Sequence, residues 1–101
     1  MKIAVSSKGA GLGAWLEPDL GKCGFLVIVD DRYKFTAIEN MGSVVNLVNQ
    51  AINEGIEAVV AGNFDDEIIS ILKKNRIKIF FAQRGSILEL VEQANNGTLM
   101  H

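Results

Sequence analysis

The 101-residue chain is poor in the residues that most often announce chemistry: it has one cysteine, one proline, one tryptophan and one histidine. With Cys23 alone, no intrachain disulfide can form, and neither a four-cysteine zinc site nor a cysteine-ligated cluster can be held by a single chain. The one histidine, His101, is the last residue, so a serine or cysteine hydrolase lacks a general base of that type at any position a fold would fix. Long apolar runs are also missing. The longest, Phe25-Leu26-Val27-Ile28-Val29, is far short of the ~20 residues of a membrane-spanning helix, and Met1 to Ser6 is too brief for a signal peptide's apolar stretch. These observations set the expectation of a cytoplasmic protein without a membrane partner. Nor is there an excess of positive charge. Ten basic residues stand against twelve acidic ones, a net charge of −2, which gives no electrostatic footprint for nucleic acid.

What is present fits one folded domain spanning residues 1–101: 49% hydrophobic, 22% charged, and too short for two domains. Half of the ten glycines, Gly9, Gly11, Gly13, Gly21 and Gly24, crowd into one stretch that also holds Pro18. Residues 7 to 23 therefore read as a long loop, and loops of that length in compact domains are usually functional or mobile. Around it the elements alternate. Lys2 to Ser6 reads as a short strand and Gly24 to Asp30 as a strand buried on both faces. A tight turn at Asp30-Asp31-Arg32 leads into Tyr33 to Glu39, whose alternation predicts the second arm of a hairpin.

From Ser43 the period changes to helical. Val44, Leu47, Val48, Ala51 and Ile52 form one stripe, ended by Gly55. Glu57 to Ala61 reads as a strand, Asp65 to Asn75 as a helix, Ile77 to Ala82 as a strand. Ser86-Ile87-Leu88-Glu89 has the form of a capping box opening a third helix, which Asn95-Asn96-Gly97 stops. The order β-β-β-α-β-α-β-α, with right-handed crossovers, predicts an α/β protein. Its expected form is a three-layer α/β/α sandwich with a five-stranded mixed sheet of order 3-2-1-4-5, strand 2 antiparallel, and the third helix alone on its face.

In such sheets a ligand crevice lies beyond the carboxyl ends of the parallel strands where connections diverge, here between strands 1 and 4. Ser6, Ser7, Gly62 and Asn63 are expected to line it. Strand 2 runs the opposite way, so Asp19, Lys22 and Cys23 reach the same end. A lone cysteine at a strand start is most often a small buried apolar side chain, but beside a glycine-rich loop it is also a candidate soft metal ligand.

Other groupings carry less. Gly9-Ala10-Gly11-Leu12-Gly13-Ala14 formally fits a dinucleotide fingerprint, yet Pro18 and Gly21 prevent the helix that would have to follow. Asp65, Asp66 and Glu67 as a metal cluster, and Lys73, Lys74, Arg76 and Lys78 as an anion patch, are weaker readings, because acidic residues at the start of a helix and basic ones at its end complement its dipole. Strand 1 carries no carboxylate for a two-metal nuclease. Arg84-Gly85-Ser86 at a helix start is a candidate anion site, although the capping box already accounts for Ser86. Trp15 is either an exposed contact residue or packs on the sheet edge.

Several segments together resemble the dinitrogenase iron-molybdenum cofactor biosynthesis family. They are Met1-Lys2-Ile3-Ala4-Val5, Phe25 to Asp30, Asn40, Glu57-Ala58-Val59-Val60-Ala61-Gly62, Ile77-Lys78-Ile79-Phe80, Gly85 to Glu89 and Asn96-Gly97-Thr98-Leu99. The resemblance spans nearly the whole chain. It implies a ribonuclease-H-like fold and a small carrier or accessory protein binding iron–sulfur or iron–molybdenum cofactor intermediates, and the leading expectation is a non-catalytic one. A protein partner or a homo-oligomer is a separate expectation, with neither singled out by the sequence. Where the family shows a His-Phe-Gly-Arg segment before the second strand, this chain has Asp19-Leu20-Gly21-Lys22, while Cys23 stands where many relatives also carry cysteine. Any metal centre is then expected on Cys23, with Asp19 and donors from a second subunit or exogenous thiols. The competing expectation is a metal-free module for a small molecule or a protein, which kept the fold and lost the ligands.

Overall fold

In the computed structural model, which describes all residues 1–101, five strands and three helices follow one another in the expected order. The strands are β1 (Ile3–Ser7), β2 (Phe25–Val29), β3 (Phe35–Glu39), β4 (Ala58–Ala61) and β5 (Lys78–Phe81). They form one sheet of order β3-β2-β1-β4-β5. β2 runs antiparallel to both β1 and β3, whereas β4 is parallel to β1 and β5. The three-layer expectation holds in detail. Helices α1 (Val44–Asn53) and α2 (Asp66–Lys74) bury Leu47, Val48, Ala51, Ile68 and Leu72 with Ala4, Leu26, Ile28 and Val59 on one face. Helix α3 (Ile87–Asn95) buries Ile87, Leu90, Val91 and Ala94 with Ile3, Val5, Val27, Val29 and Val60 on the other. No helix is long and apolar enough to cross a membrane.

Local chemistry explains the boundaries. Ser43 and Ser86 cap their helices by accepting from the backbone N–H of Asn46 and Glu89, both at 3.2 Å. Gly55 and Gly97 follow α1 and α3 at φ +85° and +74°, conformations in which a Cβ is disfavoured. Strand β3 begins two residues later than its alternation suggests. Tyr33 adopts φ +62°, and the Asp30 carboxylate accepts from the N–H groups of Arg32 and Lys34 at 2.9 and 3.0 Å. The hairpin turn thus extends to Lys34, whose carbonyl accepts from Asp30 N at 3.0 Å. Those amide donors, the one from Arg32 above all, hold the Asp30 carboxyl below the usual carboxylate range.

The long loop is ordered. Its glycine-rich part folds back as a hairpin, with bridges from Ser7 to Leu16 and from Trp15 to Ser86, and a single 3-10 turn, Leu20–Lys22, precedes β2. Leu16 and Leu20 are buried, one in each core layer, so this segment is packed into the fold at two points.

Candidate functional site

The topology brings the seven candidate residues to one end of the sheet. Ser6 and Ser7 end β1, Gly62 and Asn63 follow β4, and Asp19, Lys22 and Cys23 lead into β2. The crevice between β1 and β4, however, is filled by the chain itself. Residues 15–19 cross it as a strap: Glu17 N donates to Ser6 O at 3.0 Å, and the Ser6 hydroxyl donates to Glu17 O at 2.6 Å. Pro18 O then accepts from both Gly62 N (2.7 Å) and Asn63 N (3.0 Å). Contact is so close that a Cβ at Gly62 would lie 2.9 Å from both Pro18 Cβ and Ala82 O. Glycine at 62 is therefore explained by the strap on one side and the backbone following β5 on the other. Ser6 and Ser7 are fully buried, and no ligand-sized cavity opens at this end or elsewhere.

Cys23 is 3% exposed, packed in the same core layer as Leu20, Leu26 and Leu47. Its backbone N–H donates to Leu20 O, and its carbonyl accepts from the Asn40 side-chain amide at 2.9 Å. Burial pushes the thiol above its ordinary pKa; the neighbouring polar side chains of Ser6 and Asn40 offset part of that, and the Glu17 carboxylate adds to it. A protonated thiol in an apolar layer is a poor metal ligand and a poor nucleophile. Asp19 is engaged in the turn, its Oδ1 accepting from Gly21 N at 3.0 Å, and Lys22 is exposed at the end of that turn.

Could these residues hold an iron–sulfur or iron–molybdenum cluster? One thiol is present, no three His, Cys, Asp or Glu side chains converge anywhere, and every buried side-chain polar atom already has a hydrogen-bond partner. A cage built by this chain alone does not fit that donor set. The other candidates are likewise accounted for. At the start of α3, Ile87 N donates to Ala14 O and Leu88 N to Leu12 O, so the glycine-rich hairpin takes the amides an anion near Arg84-Gly85-Ser86 would need. Trp15, at 64% exposure, is on the surface rather than packed on the sheet edge.

Reading the sequence misses the residues that close the crevice: Leu16, Pro18 and Leu20, and Asn40 as the partner of the Cys23 carbonyl. A signal for the first three exists. Leu16 and Leu20, evenly flanking Pro18 between Glu17 and Asp19 in the glycine-rich stretch, mark a segment that returns to the core. Asn40 carries no local signal, because its role depends on β3 pairing with β2.

The family model described as dinitrogenase iron-molybdenum cofactor matches residues 1–97. Among curated protein sequences, none matches the chain. Solved structures share the fold at low identity. The apo form of the orange protein from Desulfovibrio gigas is similar with a TM-score of 0.89 at 20% identity, covering 98% of this chain and 90% of that one. A Thermotoga protein named for NifB is similar with a TM-score of 0.86 at 20% identity, covering 99% and 91%. A Methanocaldococcus jannaschii protein named for dinitrogenase gives 0.79 at 21% identity, covering 99% and 92%. At these identities the likeness speaks for the fold.

Proposed function

The chain belongs to the dinitrogenase iron-molybdenum cofactor family, and on that premise we propose that it is a small non-catalytic accessory module that works by contact with a protein or small ligand rather than through a metal cage of its own. The observation that carries this reading is the strap. Residues 15–19 take Ser6 O, Gly62 N and Asn63 N, the backbone groups at the mouth of the β1–β4 crevice, and the one thiol is buried in the core layer next to that end. Metal carriage in this chain would need the strap to leave and a second molecule to supply the remaining donors, since Cys23 is a single ligand. The family match favours that second reading, in which Cys23 and Asp19 face a shared cluster once the end of the sheet opens.

Anaerobic reconstitution with iron and sulfide separates the two. The protein and its Cys23→Ala variant are compared by visible absorbance and bound iron after gel filtration. The metal-free reading expects no chromophore beyond that of the variant. A cluster near stoichiometric with the chain that disappears in Cys23→Ala would overturn it and establish carriage on this thiol.

A further inference from the structure

The two edges of the sheet are treated differently. On the β5 side the C-terminal segment comes alongside, with Phe81 N donating to Met100 O at 2.8 Å. On the β3 side no strand, loop or helix pairs with the outer edge; the strand is short and carries Glu39, with Lys34 just before it, but holds neither a proline nor a bulge that would block pairing. Three of the exposed large apolar side chains lie on or beside this strand: Tyr33, Phe35 at 47% exposure and Met41 at 82%.

The hydrogen-bond phase of β3 says which groups are free. Asn40 N donates to Gly24 O and Asp30 N to Lys34 O, so the even-numbered residues 34, 36, 38 and 40 face β2 with their backbone groups. Phe35, Ala37 and Glu39 therefore turn their N–H and C=O outward. That set is symmetric about Ala37. We propose that β3 pairs antiparallel with β3 of a second copy about a two-fold axis through Ala37, joining the two five-stranded sheets edge to edge. In that register Ala37 opposes its own symmetry mate and Phe35 opposes Glu39, which satisfies every outward group with about six main-chain hydrogen bonds.

Side chains favour this occupant and this direction. Tyr33 of one copy falls opposite Met41 of the other, so the exposed apolar residues at the two ends of the strand meet. The basic end of the strand, Arg32 and Lys34, lies beside the end that carries Glu39, whereas a parallel pairing would place like ends together. On the α3 side, the single helix leaves Phe35 bare, and the second copy extends the sheet there.

Sedimentation equilibrium up to about 1 mM protein tests the pairing, since an edge-only contact is expected in the weak range. The expected result is a monomer–dimer equilibrium in which the Phe35, Ala37 and Glu39 amides gain hydrogen-exchange protection as concentration rises. Ala37→Pro removes an outward N–H that the monomer does not use, and should abolish the dimer while leaving the monomer folded. Phe35→Glu places like charges opposite each other twice and should weaken association about tenfold; adding Glu39→Lys should restore it. A monomer at every concentration overturns the proposal. So does a dimer indifferent to Phe35→Glu, a double variant that fails to recover, or edge amides protected only by an added extended peptide.

Discussion

Cys23 is expected to react with a thiol-specific aromatic disulfide at least about a thousandfold more slowly in the native protein than in denaturant. Such a factor corresponds to about 4 kcal/mol of opening free energy. That is within reach, because the thiol is sealed in a core layer whose loss approaches global unfolding, typically about 5–15 kcal/mol for a domain. The same burial has a pH signature. The thiol's pKa is raised in the folded state, so the unfolded chain loses this proton first as pH rises. Below the ordinary thiol pKa the group leaves stability unchanged; above it, stability falls until the folded value is passed. Cys23→Ala should lack that alkaline decline. Labelling at the rate of an exposed thiol would mean that the core layer around Cys23 is open.

Replacing Leu20 by alanine should cost about 2–5 kcal/mol in urea denaturation, the range for deleting a buried leucine. Leu20 is 1% exposed and anchors the 3-10 turn that carries the chain from the strap into β2. The loss should therefore be felt at the crevice as well as in the global midpoint, and Cys23 in Leu20→Ala should label faster than the change in overall stability alone accounts for. Lys22→Ala, two residues away but exposed, should stay within about 0.5 kcal/mol of the parent. Equal effects at the two positions would contradict the assignment of Leu20 as the anchor.

Periodicity made the layers legible. The stripes of α1 and α3, the alternation of β3 and the unbroken apolar run of β2 are local patterns, and local patterns with right-handed crossovers leave few arrangements, among which the observed strand order was the one expected. Turn chemistry shifted one boundary, because the Asp30 carboxylate captures two amides and draws Tyr33 out of the strand. The candidate site was legible as a location but not as a state. Ser6, Asp19, Cys23, Gly62 and Asn63 do gather at one end of the sheet. Whether that end is open is decided by hydrogen bonds between residues far apart in sequence, such as Pro18 with Gly62, and glycine-rich composition reads alike whether a loop is loose or pinned. Here two leucines pin it.

Functionally, a filled crevice shifts attention from a resident cluster to surfaces. The exposed Trp15 at the start of the strap, beside α3, and the open β3 edge are two such surfaces, and the end of the sheet is a closed platform rather than a mouth.

Hydrogen exchange at two backbone amides bears most directly on that account. Gly62 and Asn63 extend past the end of β4, and both amides donate to the carbonyl of Pro18. If the strap occupies the crevice, both amides exchange with protection comparable to those inside β1 and β4. Exchange at the rate of free loop amides, with the sheet itself protected, would show an open crevice and contradict the account.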